Sequence, residues 1–396
     1  MTDSVAGQTP AVVLTRVAKS YDGKRDAIGR ISLEVGRGEF VVLLGPSGSG
    51  KSTILRAIAG IERIDSGSIE IFGRQVAGPR VHVAPEDRGV SMVFQDYALW
   101  PHMTVLDNVA FALKRAKLGS QLRKEKAAEM LARVGLGGKE SRYPAELSGG
   151  EQQRVALARA LVGHSGLVLF DEPLSNLDAD LRERLRLEIA TLTRESNASV
   201  IYITHDQAEA FALADKIGVL SGGRLVQMGT PEEIYQRPVD SFIARFTGLA
   251  GELEGRVLAS LASGLVEVQV PAASAVLHAR AVGRLEPGDA VSLAMRPFAL
   301  GICDADERSI EARVLDVAYR GRGYEHALAV GGSVISSVFC AERHPRGSKV
   351  FISVDPAGCL AFSDGDEMAP QPAAADPAAE GTDDEVIAFD LTEYAL

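Results

Sequence analysis

The stretch Phe40-Val41-Val42-Leu43-Leu44-Gly45-Pro46-Ser47-Gly48-Ser49-Gly50-Lys51-Ser52 constrains this chain more than any other. Its apolar run reads as a strand covered on both faces. The run passes directly into the pattern G-x-x-x-x-G-K-[ST], and Thr53 to Gly60 behind it reads as a helix. Strand, glycine-rich turn and helix in that order make a phosphate cradle. The glycines let backbone N–H groups turn inward, and the helix N-terminus adds partial positive charge. In such a loop the lysine, Lys51, reaches the outer phosphates and the hydroxyl of Ser52 ligates Mg²⁺. Gly45, Pro46, Ser47, Gly48, Ser49, Gly50, Lys51, Ser52 and Thr53 are the expected contacts to a nucleotide, ATP or GTP.

Three further apolar runs predict a largely parallel α/β sheet: Leu167 to Phe170, Val200 to Thr204 and Ile217 to Leu220. The first runs straight into Asp171-Glu172. A carboxylate at the end of a buried strand suits a Mg²⁺ partner, here Asp171, and the next residue, Glu172, suits a general base for the attacking water. An acid pair alone would read as a surface turn; the phosphate loop about 120 residues earlier changes that reading. His205 follows the Val200 to Thr204 run and is expected on the same sheet edge. Gln95, after Val90 to Phe94, is neutral and suited to bond both metal and water; spacing alone leaves its role open. Between these strands Ala127, Met130, Leu131 and Val134 recur at helical spacing. Thr230-Pro231-Glu232-Glu233 predicts a helix start.

Composition adds exclusions. No run of about 18 apolar residues occurs, and the first ten residues have neither the basic start nor the apolar stretch of a secretory leader. Cys303, Cys340 and Cys359 lack metal-site spacing and read as reduced thiols. The net charge of −11 sits at one end: Asp364 to Leu396 holds ten carboxylates and no Lys or Arg. The remainder is near −1, which gives no sign of a nucleic-acid partner. Residues 363–396 are rich in Ala, Pro, Asp and Glu and read as a disordered acidic tail.

Past residue 248 the texture changes to short strands between Gly and Pro turns, as in Leu265 to Val270, Ala290 to Met295 and Lys349 to Val354. This predicts a small all-β domain over residues 250–362. Within it, Tyr319-Arg320-Gly321-Arg322-Gly323-Tyr324 offers two guanidinium groups to an anion or is a solvated hairpin turn; the second reading is favoured.

Leu147-Ser148-Gly149-Gly150-Glu151-Gln152-Gln153-Arg154 lies about twenty residues before Asp171. Together with the phosphate loop it resembles the ATP-binding-cassette (ABC) ATPases over residues 11–245. The resemblance implies an α/β P-loop cassette with a RecA-like core and a helical subdomain at about residues 96–160. It implies that Tyr21 stacks on adenine, that Gln95 and Asp171 join Ser52 at the metal, and that Glu172, His205 and Gln95 serve catalysis. Leu147, Ser148, Gly149, Gly150 and Glu151 match the signature that caps ATP held by a second copy, and Ser175, Asn176, Leu177 and Asp178 match the loop that crosses that interface. Mg²⁺-ATP is then the expected ligand and a homodimer the expected assembly.

Ser292-Leu293-Ala294-Met295-Arg296-Pro297 resembles the Arg-Pro motif of the transport-associated OB (TOBE) domain, although Phe298 stands where an acid is common. The combination resembles the ATPases of sugar, polyamine, phosphonate and iron(III) importers. Phe94 to Met103 is similar to the corresponding segment of those proteins, with Tyr97, Leu99, Trp100 and Met103 either core or a surface for a coupling helix. The implied partners are two membrane-spanning permease subunits and, indirectly, a solute-binding protein, with this chain on the cytoplasmic face of the membrane. A soluble ABC ATPase acting on nucleic acid or ribosomes is the alternative; those types usually carry two cassettes or a long insertion. Here there is one phosphate loop, and only about 50 residues separate Gln95 from Leu147.

Overall fold

The computed structural model describes residues 9–21, 26–163, 165–175, 177–306 and 309–364. A six-stranded sheet forms its centre, in the spatial order Arg224–Gly229, Lys216–Ser221, Phe40–Leu44, Ser199–Thr204, Leu167–Asp171, Val90–Val93. The last five run parallel, and Arg224–Gly229 closes one edge antiparallel. Every residue of the Phe40–Leu44, Leu167–Asp171 and Ser199–Thr204 strands is buried. That is why each reads as an unbroken apolar run: both faces are covered. The two-residue period still sorts them. Val42, Leu44, Phe170, Val200 and Tyr202 enter one core, while Val41, Leu43, Leu169, Ile201 and Ile203 enter another.

Helix α1 (Lys51–Ala59) packs in the second core beneath an antiparallel sheet ordered Asp26–Val35, Val12–Ser20, Ser66–Ile71, Arg74–Gly78, Val81–His82. The first core takes α2 (Val105–Phe111), α3 (Ser120–Arg133) and α4 (Gly149–Leu161), the helical layer. On α3 the buried side chains are Ala127, Met130 and Leu131, the spacing that marked it in the sequence. Helices α5 (Ala179–Ser196), α6 (Gln207–Leu213), α7 (Pro231–Gln236) and α8 (Ser241–Phe246) follow. No helix among the described residues is long and apolar enough to cross a membrane.

The helix starts are chemically marked. Thr230 accepts from the Glu233 N–H while the Glu233 side chain accepts from the Thr230 N–H at 2.9 Å, a reciprocal capping box. Thr230→Ala is expected to cost about 1 kcal/mol, read as a lowered thermal midpoint with unchanged ATP turnover.

The C-terminal β region is built from two sheets. Gly251–Ser260, Leu265–Val270, Ala275–Ala281, Cys359–Ser363 and Ala290–Met295 close into a barrel. A second five-stranded sheet holds Leu300–Cys303, Lys349–Val354, Ile310–Tyr319, Tyr324–Val330 and Ser333–Cys340. The two share one apolar core. Alternation and turn residues show that strands exist. They do not show that Cys359–Ser363 returns to close the barrel between Ala275–Ala281 and Ala290–Met295, because that pairing is non-local. Of the expected tail, residues 365–396 lie outside the described residues.

Candidate functional site

Strand register assembles the site. Leu44 lies opposite Thr204, Asp171 opposite Ile203, and Val93 opposite Phe170. Gly45, His205, Glu172 and Gln95 therefore leave the sheet at its carboxyl edge, where parallel α/β sheets hold their ligands.

The loop from Gly45 to Gly50 is shaped by what cannot be there. Gly50, the N-cap of α1, has φ of 97°, and a Cβ on it would lie 2.4 Å from the Ala27 carbonyl oxygen. A Cβ on Gly45 would come within 2.3 Å of the Leu220 carbonyl oxygen. Lys51 turns back under the loop, its Nζ donating to the carbonyls of Gly45 at 2.7 Å and Pro46 at 3.0 Å. Burial pulls the Lys51 pKa down from its ordinary value, while the charges of Glu172 and Asp171 oppose that pull. Among the described residues, the buried Ser49 hydroxyl has no hydrogen-bond partner.

Ser52 Oγ donates to Asp171 Oδ1 at 3.3 Å, and the Arg56 guanidinium stands 3.9 Å from the other carboxylate oxygen. Burial raises the Asp171 pKa; Arg56 and Ser52 counter it. A hydroxyl and a buried carboxylate side by side are the hard oxygen donors Mg²⁺ takes, so the donor set fits that ion. Glu172 sits at φ of 43°, a left-handed conformation unusual for a side-chain-bearing residue. Its Oε2 lies 3.0 Å from Nδ1 of His205. With Glu172 ionised, Nδ1 carries the proton and donates it. Glu172, Ser175, Arg182, Thr204, His205, Asp206 and Glu209 line a small polar cavity.

The remaining expected residues divide. Tyr21 is 61% exposed at the mouth of the loop, its hydroxyl donating to Thr53 Oγ1 at 3.4 Å. Gln95 is exposed just beyond its strand. Asp178 caps α5, accepting from the Leu181 N–H at 2.9 Å. Ser175 Oγ donates to the Glu172 carbonyl at 3.0 Å, and Leu177 is buried. Asn176 lies outside the described residues. Leu147 is buried, and Ser148 caps α4. Gly150 packs so closely on α5 that a Cβ would lie 2.9 Å from Leu181. Among the described residues, no hydrogen bond or ion pair joins residues 147–151 to residues 45–53 of the same chain.

Several supports escaped the sequence reading. Asp206 caps α6, accepting from the Ala208 N–H at 2.7 Å, and its own N–H donates to Thr204 Oγ1 at 2.9 Å. The Tyr202 hydroxyl donates to the buried Glu209 at 2.8 Å. These contacts fix the turn that carries His205. The spacing Asp206-x-x-Glu209 is a helix-start pattern and was the available signal. The segment after Gln95 is pinned as well. Tyr97 and Ala98 both take positive φ, and the Arg159 guanidinium of α4 donates to both carbonyls, at 2.7 and 2.6 Å. Tyr97 is thus core, while Trp100 is half-buried against Phe111 with Arg159 over its ring. At the Tyr319–Tyr324 turn, Arg320 pairs with Glu325 at 2.6 Å and Arg322 lies over Phe339, so both guanidinium groups are engaged within the fold.

Comparison with known proteins adds the following. Residues 28–175 match the ABC transporter family, and residues 293–362 match the TOBE domain. An Fe(3+) ions import ATP-binding protein of Rhizobium etli is 45% identical over 317 residues, covering 80% of this chain and 87% of the relative. A spermidine/putrescine import ATP-binding protein of Methylococcus capsulatus is 40% identical over 363 residues, covering 89% and 93%. An sn-glycerol-3-phosphate import ATP-binding protein of Escherichia coli is 48% identical over 235 residues, covering 59% and 65%. Among solved structures, a dimeric ATP-binding cassette in a post-hydrolysis state bound to ADP and Pi is 30% identical, with a TM-score of 0.50. The match covers 56% of this chain and 98% of that one.

Proposed function

This chain belongs to the ATP-binding subunits of ABC importers, and from that premise we propose how its residues divide the work. It is an ATPase coupled to transport. The observation that carries the assignment is the convergence of Lys51, Asp171, Glu172 and His205 at one sheet edge. Backbone N–H groups of residues 47–50 and the Lys51 ammonium hold the outer phosphates of ATP, Tyr21 meets the adenine, and Thr53 steadies Tyr21. Ser52, Asp171 and Gln95 hold Mg²⁺, which when bound supplies positive charge to the phosphate oxygens.

Glu172 takes a proton from the attacking water as its oxygen bonds to the terminal phosphorus. The bond to the bridging oxygen breaks, leaving ADP and phosphate. His205 keeps the Glu172 carboxylate aimed through its Nδ1–H. Among the described residues, no hydrogen bond or ion pair ties residues 148–150 to their own loop, which supports the reading that they complete the site of a second copy. Ser175 to Asp178 then lie at that interface, with each site made by two chains.

Motion of the pair passes to two permease subunits at the cytoplasmic face, through the segment that Arg159 and Asn108 pin. The partners, fed by a solute-binding protein, select the cargo. The relatives named above import Fe(3+) ions, spermidine and putrescine, or sn-glycerol-3-phosphate, and a solute of one of these kinds is the proposed cargo. Lys51→Ala tests the nucleotide role. It is expected to weaken ATP binding about 10²-fold in a titration with a fluorescent ATP analogue. Unchanged affinity would remove Lys51 from the phosphate site.

A further inference from the structure

The start of α4 carries a charge that the proposed two-chain site has to manage. Glu151 Oε2 accepts from the Ser148 N–H at 2.9 Å and from Ser148 Oγ at 3.1 Å. This closes the first turn of the helix with a carboxylate. For the helix alone a negative charge there is favourable. For a helix that must receive a triphosphate it is not, since a fixed carboxylate beside Ser148 repels the polyanion.

The chain answers that charge from outside the helix. Lys139 forms an ion pair through Nζ with Glu151 Oε1, the oxygen that Ser148 does not use. The pair is about one-third exposed on the Lys139 side and one-quarter on the Glu151 side, so solvent screens it only in part. Lys139 is held by more than its own side chain. Its segment is laid along α2 by backbone bonds from Val105 N–H to the Arg142 carbonyl at 2.8 Å and from Leu106 N–H to the Glu140 carbonyl at 3.0 Å. Lys139 N–H itself donates to the Leu136 carbonyl at 3.1 Å. Lys139 and the Ser148 N–H favour the ionised form of Glu151, its pKa pulled down to about 2.

We propose that Lys139 is a positioning residue of the ATPase: by pairing with Glu151 it cancels the carboxylate charge at the signature turn and lets Ser148, Gly149 and Gly150 accept the triphosphate held by a second copy. The inference rests on the two-chain site put forward above. It predicts a division of effects. Lys139 should matter to ATP-driven pairing of two chains and not to ATP binding by the phosphate loop of one.

The test uses the full-length chain carrying Glu172→Gln, so that ATP persists. Light scattering after size exclusion follows dimer formation against Mg²⁺-ATP concentration. Adding Lys139→Met is expected to raise the ATP concentration for half-dimerisation about tenfold. Affinity for a fluorescent ATP analogue, measured at protein concentrations too low to dimerise, should stay within about twofold. Lys139→Arg keeps the charge and should behave as its parent. Glu151→Gln added to Lys139→Met should restore pairing, because the charge to be cancelled is gone. The proposal is overturned if Lys139→Met pairs like its parent, or if Glu151→Gln restores nothing. If the Glu172→Gln parent itself stays monomeric with ATP, the two-chain site falls, and this inference falls with it.

Discussion

Glu172→Gln is expected to lower ATP turnover by roughly 10²–10⁴-fold while leaving ATP binding intact. The amide keeps the shape of the carboxylate and loses the capacity to take a proton from water. The backbone supports so specific an effect. Glu172 is held at φ of 43°, its N–H bonded to the Ile203 carbonyl at 3.2 Å and its own carbonyl bonded by Ser175 Oγ. A left-handed residue that is not glycine costs about 1–2 kcal/mol, so the surrounding contacts determine this orientation. His205 then meets the side chain at 3.0 Å. Steady-state phosphate release and equilibrium binding, measured on the same preparation, separate the two quantities. Turnover within a factor of two of the parent would assign the base elsewhere.

Arg296→Ala is expected to destabilise the junction between the cassette and the β region by about 3 kcal/mol. The residue belongs to the Arg-Pro motif, and its guanidinium is 1% exposed. Nη1 donates to the carbonyls of Ala244 at 2.9 Å and Gly248 at 2.6 Å. Nη2 donates to the Tyr235 carbonyl at 2.6 Å and to Thr247 Oγ1 at 3.0 Å. The group also lies 4.0 Å over the Tyr235 ring. Truncation leaves three carbonyls short of donors and removes a stacked plane from a closed space. Lys has the charge but not the fork, so Arg296→Lys should recover less than half of the loss, within about 1 kcal/mol of the alanine variant. Calorimetry of the full chain reads this as a lowered first transition. An unchanged first transition would mean that the junction does not depend on this side chain. Phe298, which follows the motif, is exposed and lies 6.2 Å from the same Tyr235 ring, so an apolar contact occupies the place where an acid is common.

Much of the cassette was legible because its information is local. The strand before Gly45, the glycines of the loop, the acids after Phe170 and the cap at Thr230 are contiguous stretches whose spacing carries its own physical meaning. Residues that act through distant partners left weaker traces. Arg159 looks like any exposed helix arginine until its helix is placed against the turn at Tyr97 and Ala98. Asn108 reads as an ordinary polar residue, yet it is fully buried and donates to the carbonyls of Trp100, Met103 and Thr104. Lys139 likewise gains meaning only from Glu151, twelve residues away on another element.

By itself, then, the sequence determined that a parallel α/β sheet carries a phosphate loop, that an acid pair ends a buried strand, and that a second β-rich region follows. Short-range sterics and side-chain periodicity suffice for each of these. Tertiary structure alone decided which strand ends stand together, how the barrel closes through Cys359–Ser363, and which charges are cancelled at the start of α4. Those outcomes depend on pairings between residues far apart in the chain, and no local pattern encodes which partner wins the contact.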